Sequence, residues 1–400
     1  GMRMIIVTAK HHDGFCLWPS RHTGHSVRSS PWRGGKGDIV AEVSAACREA
    51  GLAFGVYLSP WDRREPTFGD SSRYNEHFRA QLRELLTGYG PVAEVWFDGA
   101  NGEGPNGKRQ EYDWPSYYAL IRELQPEAVI AIMGPDVRWV GTESGYGRET
   151  EWSVVPVNLR ELPAAGLEAA FLPMDMTQPD LGSRQRLREA TALLWYPAEI
   201  DVSIRPGWFY HAAEDGRVKS PEKLVDIYYS SVGRNGVLLL NIPPDRRGLI
   251  HERDVEALEG MRRILEATFA ANLAAGAGIR ASSEEPGRPP SAVLDEDPGT
   301  YWSAADGATS AEIELDLVAE ATFDRAMLQE HIRAGQRIEA FVLESWDGSA
   351  WRACAEGTTI GYKRLLRFPP VTARKVRLVI RRSRSNPTLS AFGLYLAPKD

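Results

Sequence analysis

The stretch MRMIIVTAKHHDGF, residues 2–15, carries the pattern that decides the fold. Its apolar run reads as a buried strand that stops at two adjacent histidines, an acid and a glycine. The same grammar repeats downstream. GDIVAEVSAACREAGL (37–52) has the spacing of an amphipathic helix with a glycine near its end, and AFGVYLSPW (53–61) reads as a second strand. YNEHFRAQLRELLTGYG (74–90) is a helix, VAEVWFDGA (92–100) a strand, WPSYYALIRELQP (114–126) a helix and AVIAIMG (128–134) a strand. Strands that alternate with helices form βαβ units around a parallel sheet. Each strand ends in a polar or aromatic loop: KHHDGF, SPWDR, FDGA and GPDVRW. Functional residues at the C-terminal ends of successive strands are the arrangement of a (β/α)8-type barrel. GVLLLNIPP (236–244) supplies a late barrel strand, and ERDVEALEGMRRILEATFA (252–270) the closing helix.

Beyond residue 270 the texture changes. NLAAGAGIRASSEEPGRPPS (272–291) is rich in Gly, Pro and Ser, as expected of a domain entrance. Short alternating stretches follow, among them SAEIELDL, RIEAFVLESW, KRLLRF and KVRLVIRR, which predict an antiparallel β-sandwich. The domains are thus expected at 1–270 and 271–400, in keeping with a chain of 400 residues, too long for one core. Hydrophobic content of 43% and charged content of 25% are those of a globular protein. With 47 basic and 54 acidic residues the net charge is −7, which argues against nucleic acid as partner. No apolar run has the length of a membrane span. Three cysteines without metal-type spacing argue against a disulfide framework.

Four loops carry chemistry. In EVWFDG an apolar strand delivers Asp98 to its end, where a carboxylate can attack an anomeric carbon or simply cap the loop. The Gly-rich GPDVRWVGTESGYGRETEW (134–152) holds Asp136, Glu143, Glu149 and Glu151 beside Arg138. A retaining glycosidase needs two carboxyls roughly 5–5.5 Å apart, and this loop offers a second one without saying which. EIDVSIRPGWFYH (199–211) concentrates Arg205, Trp208, Tyr210 and His211 after a strand, where an aromatic ring can stack on a sugar or pack the rim. For His11 and His12, adjacent side chains at a strand end are expected to diverge, which disfavours a metal site. Neutral imidazoles that hydrogen-bond sugar hydroxyls fit the pair better, with a purely structural role still open for one of the two.

Together these segments resemble the α-L-fucosidases of glycoside hydrolase family 29. AKHHDGFCLWPS, SSPWRGGKGDIV, FGVYLSPWDR, EVWFDGA and LLLNIPPDRRGLI occur in the family's order over residues 4 to about 265. ATFDRAMLQEHIRAGQRIEAFVLESWDG and GTTIGYKRLLRF resemble the C-terminal sandwich of the same enzymes, and AVLDEDPGTYWSA is similar to the opening of discoidin-like (F5/8 type C) domains. The resemblance implies a retaining exo-α-L-fucosidase working through a covalent fucosyl-enzyme, with a fucosylated glycan as its partner and no required cofactor. RWVGTESGYGRETEW is similar to the subfamily acting on α-1,3/4-linked fucose. The motif match makes Asp98 the nucleophile and Glu143 the acid/base; His11, His12, Tyr57, Trp96 and Trp208 fall at fucose-binding positions. Asp295 and Thr300 stand where related sandwiches hold a structural Ca²⁺. The sandwich itself is expected to brace the barrel rather than bind glycans.

Family members carry an earlier segment with an HWG- or HFG-like motif. The expectation is therefore a barrel that lacks its first strands in this chain. The alternative function is a catalytically silent carbohydrate-binding protein on the same architecture. The sequence does not fix a location; periplasmic or secreted is favoured over cytoplasmic.

Overall fold

The computed structural model describes residues 1–157, 177–295 and 297–398. The chain divides into two compact units, the first holding Gly1–Trp139 and the second taking in Val140 onwards. In the first, strands β1 (Met4–Lys10), β2 (Ala53–Leu58), β3 (Glu94–Phe97) and β4 (Val129–Ile132) lie side by side in sequence order, all parallel. Helices α1 (Ile39–Ala50), α2 (Ser71–Gly88) and α3 (Trp114–Leu124) provide the crossovers. Each begins at an aspartate whose side chain accepts a backbone N–H of the first turn: Asp38, Asp70 and Asp113. Gly51, at φ 67°, closes α1 in the left-handed conformation that favours glycine. Val56, Leu58, Val95 and Phe97 from the strands, with Phe78 and Tyr117 from the helices, are buried in the core. A short strand β5 (Arg138–Trp139) ends this unit.

In the second unit β6 (Val154–Val157) and β7 (Ala192–Trp195) form an antiparallel pair that the alternation of residues does not announce. β8 (Ala198–Ser203) and β9 (Val237–Asn241) pair in parallel, and helices Pro221–Ser230 and Glu252–Thr268 follow them in sequence. These are βα units of the (β/α)8-type, the fold class expected.

The sandwich is antiparallel, as expected. β10 (Gly278–Ala281), β12 (Ala311–Gln329), β15 (Arg364–Ser383), β13 (Ile338–Trp346) and β14 (Trp351–Gly357) form one sheet in that spatial order, with β17 (Ala391–Tyr395) also on β12. The two-residue strands β11 (Trp302–Ser303) and β16 (Thr388–Leu389) make a second pair. Trp302, Ile313, Leu315, Phe341, Leu378 and Phe392 fill the core. KRLLRF and KVRLVIRR, separate in the sequence reading, are two halves of the single strand β15. Pro369 and Pro370 lie between them, where the ladder to β12 skips from Arg367 to Val371. The bulge there needs no N–H from either proline, so the strand continues through them. Among the described residues no helix is long and apolar enough to cross a membrane.

Candidate active site

The site forms where β1, β2 and β3 end together. Thr8 pairs with Tyr57 and Tyr57 with Trp96, so the residues just past the three strands emerge at one level. β1 delivers His11 and His12, β2 carries Tyr57 and ends at Ser59, and β3 delivers Asp98.

The carboxylate of Asp98 is held on both oxygens. Oδ2 accepts the Tyr57 hydroxyl at 2.7 Å, and Oδ1 accepts the backbone N–H of Ala100 at 2.7 Å. His12 Nε2 stands 3.8 Å from Oδ2. The Tyr57 ring stacks on Trp96 at 5.0 Å and on His11 at 5.6 Å between centroids, so a wall of rings fixes the hydroxyl that meets Asp98. Burial pushes the Tyr57 phenol well above its ordinary range, and the Asp98 charge adds to that, so the phenol keeps its proton and donates.

The histidines do not diverge. Their ring centroids are 4.0 Å apart, and both imidazoles feel the Asp98 charge. Strand alternation stops at Lys10; the chain then turns, with Gly14 N bonded to the His11 carbonyl at 3.0 Å and Gly14 at φ 75°. Past the strand end the two-residue period no longer sends neighbours to opposite faces. Donor atoms of His11, His12 and Asp98 fall within 4.8 Å of one another, so the divergence argument against a cation fails, although Tyr57 already occupies the Asp98 oxygen. Burial lowers the pKa of both histidines, which favours neutral rings.

Beneath the turn is a charged foundation that the sequence reading missed. Lys10 is fully buried, and its ammonium donates to Asp62 Oδ2 at 3.1 Å and Gln81 Oε1 at 2.9 Å. Burial works to raise the Asp62 carboxyl, but the Lys10 ammonium and the N–H groups of Arg64 and Glu65 outweigh it and hold the pKa below the usual value. The His12 carbonyl accepts the Arg63 N–H at 2.8 Å, and Ser59 N donates to the Lys10 carbonyl at 2.9 Å. The two loops are thus laced together. Ser59 and Trp61 were missed as well: Ser59 Oγ is 2.7 Å from His12 Nδ1, and the Trp61 ring lies 4.8 Å from the His12 ring. Their signal was the polar-aromatic SPWDR directly after a strand.

The second carboxylate falls in the other unit. Glu143 is exposed on the loop before β6. That loop is pinned on either side: Gly147 N donates to the Ser230 carbonyl at 2.8 Å, and a Cβ on Gly141 would meet Thr177 Cα at 2.9 Å. Its rivals have other employment. Glu151 is buried and accepts Arg148 Nη1 at 3.2 Å, Glu149 accepts Arg364 Nη2 at 2.9 Å and also pairs with Arg234, and Asp136 is gripped by Arg122 Nη2 at 2.6 Å. Arg138 is buried. Trp208 is exposed, with its carbonyl accepting Asn241 Nδ2 at 2.9 Å. Arg205 is buried between Asp254 at 2.9 Å and Asp215 at 2.8 Å, with the Tyr210 ring over it, so this pair is structural. His211 is exposed. In the sandwich, Asp295 accepts the Thr300 hydroxyl on both oxygens, at 2.9 and 2.7 Å, in an exposed turn.

A model of the family described as alpha-L-fucosidase matches residues 1–153 and 168–268, and one of the F5/8 type C domain matches residues 278–392. Alpha-L-fucosidase 1 of Arabidopsis thaliana is 43% identical over 99% of this chain and 76% of its own length. The structure of a Ruminococcus gnavus GH29 fucosidase in complex with fucose is 32% identical, with a TM-score of 0.87 over 99% of this chain and 83% of that one. A longer Bacteroides ovatus structure is 51% identical with a TM-score of 0.85, and this chain covers 64% of it. The chain belongs to the α-L-fucosidase family of glycoside hydrolases, with an F5/8 type C domain on its C-terminal side.

Proposed function

We propose that the protein removes terminal α-1,3/4-linked L-fucose from glycans with retention of configuration, Asp98 acting as nucleophile and Glu143 as acid/base. The observation that carries this reading is the Asp98 carboxylate, fixed by Tyr57 and Ala100 at a strand end beside two histidines. A nucleophile needs that orientation, since a misplacement of about 1 Å can cost about a hundredfold in rate. In the first step Asp98 forms a bond to the anomeric carbon while Glu143 gives its proton to the departing aglycone oxygen. In the second, Glu143 takes a proton from water, which attacks the anomeric carbon and frees Asp98. His11 and His12 hold fucose hydroxyls, and the Tyr57–Trp96 wall covers one side of the sugar. The family match and the fucose complex of the R. gnavus relative support the substrate class. The WVG-x-E arrangement around Glu143 supports the linkage preference.

The test combines an aryl α-L-fucoside with a Lewis-type oligosaccharide carrying α-1,3- or α-1,4-linked fucose, followed by proton NMR of the first sugar released. Faster release from the oligosaccharide and initial α-fucose are expected. Initial β-fucose would overturn retention, a preference for α-1,2-linked substrates would overturn the linkage, and binding without hydrolysis of either substrate would favour the carbohydrate-binding alternative.

A further inference from the structure

Ser59 sits one residue past β2 and is fully buried. Its Oγ lies 2.7 Å from the Trp61 carbonyl oxygen and 2.7 Å from His12 Nδ1. Two oxygens that close require a proton between them, and a carbonyl has none to give. The Ser59 hydroxyl therefore donates to Trp61. Its one proton being committed there, it can only accept from His12, so Nδ1 carries the hydrogen. A neutral imidazole has a single N–H, which leaves a lone pair on Nε2. That nitrogen faces Asp98 Oδ2 at 3.8 Å, and two acceptors turned toward one another leave a place that a donor fills.

We propose that Ser59 is a positioning residue that locks His12 as the Nδ1–H tautomer, so that the fucose hydroxyl meeting His12 is recognised as a donor into Nε2. The inference rests on the reading of His12 as a fucose-binding residue. Burial of the ring, which disfavours the imidazolium, agrees with it. The consequence is a specificity rule. A fluorine at the same sugar carbon can accept but not donate, so it cannot replace that hydroxyl. A histidine held as the Nε2–H tautomer would follow the opposite rule.

The tautomer can be read directly by NMR on the full chain with ¹⁵N-labelled histidine, the His12 signals being those lost in His12→Gln. At neutral pH the expected signature is protonated Nδ1 and bare Nε2. An Nε2–H tautomer or an imidazolium would overturn the proposal. Ser59→Ala should mix the tautomers and lower kcat/KM by roughly tenfold to a hundredfold, the range of one misplaced buried hydrogen bond. Ser59→Thr, which keeps the hydroxyl, should keep the Nδ1–H signature. Loss of activity in Ser59→Ala with the tautomer unchanged would reduce Ser59 to a packing residue and overturn the proposal. If Ser59→Ala does not fold, the wild-type spectrum decides by itself.

The sugar side is tested by calorimetry with L-fucose and its singly deoxygenated and deoxyfluorinated derivatives. One position should weaken binding to wild type but not to His12→Ala when deoxygenated, and fluorine there should restore nothing. Restoration by fluorine overturns the donor rule. Failure of fucose itself to bind would overturn the fucose reading instead, and the tautomer signature would still be on the spectrum to tell the two failures apart.

Discussion

At the scale of single residues, the weight falls on Asp98 and the hydroxyl that aims it. Replacing Asp98 with alanine removes the atom that would bond to the anomeric carbon, and hydrolysis should drop by at least ~10³-fold while fucose still binds. Glu143→Ala should lose about 10²–10⁴-fold on poor leaving groups, less on good ones, and added azide should raise its rate with an activated fucoside. Full activity in either variant would withdraw its assignment. Tyr57→Phe keeps the stacked ring but drops the 2.7 Å bond to Asp98. A fall of about tenfold in kcat, larger than the change in KM, is expected from steady-state kinetics. The sequence made Asp98 visible because it stands just past an apolar strand, whereas Tyr57 came only through the resemblance to the family's motifs. It could not separate Glu143 from Glu149 or Glu151 by composition alone. Glu149 is marked off by arginines from far along the chain, Arg364 and Arg234, which no local spacing records, and Glu151 by its burial beside Arg148.

At the scale of elements, turns matter more than strands. The histidine turn depends on Gly14, whose φ of 75° suits glycine and whose absent Cβ leaves room for Asp62 Oδ1, 2.5 Å from where that atom would stand. Gly14→Ala should therefore cost about 1–3 kcal/mol in strain and displace the Lys10–Asp62 pair. Thermal unfolding and kcat/KM should fall together. In the sandwich, the buried Glu330 takes three backbone N–H groups: Arg337 at 2.6 Å and Ile338 at 3.0 Å on one oxygen, Gly361 at 2.6 Å on the other. A glutamine has an NH₂ where one of those oxygens was, so Glu330→Gln sets donor against donor. About 1–3 kcal/mol should be lost, read by denaturant unfolding, with the kinetics on an aryl fucoside as a separate measurement. The helices were legible from their 3.6-residue period, while the aspartates that cap them, Asp38, Asp70 and Asp113, were not read from the sequence. The meeting of the two histidines was not, because a strand-based rule was carried one residue too far.

At the scale of the whole molecule, pH is the broadest probe. His11 and His12 both have pKa values lowered from 6.5, first by burial. The unfolded chain therefore binds protons that the folded one resists, and stability present above that value should decline as pH falls below it. The decline should be smaller in His12→Gln when unfolding midpoints at neutral and mildly acidic pH are compared; an equal decline would place the effect elsewhere. The βα units and the antiparallel sandwich were both legible in the sequence from the change of hydrophobic period, whereas the two compact units of the structure part at Trp139/Val140. The β6–β7 pair escaped notice, being two four-residue strands separated by a long stretch of chain.

The prolines inside β15 have a kinetic consequence. Antiparallel pairing of β12 with β15 runs from Leu328 opposite Arg364 out to Ala311 opposite Ile380, so the pairs nearest in sequence close the smallest loops. Zipping that starts there meets Pro369 and Pro370, which contribute no N–H to the ladder, before the outer half can join. The Val376–Ile380 half of β15 also pairs with β13, where Ser345 stands opposite Val376. The strand is thus one element in space with two starting points: its Arg364–Arg367 half closes on β12 and its Val376–Ile380 half on β13. With the prolines between them, exchange protection of the two halves should not rise together in refolding.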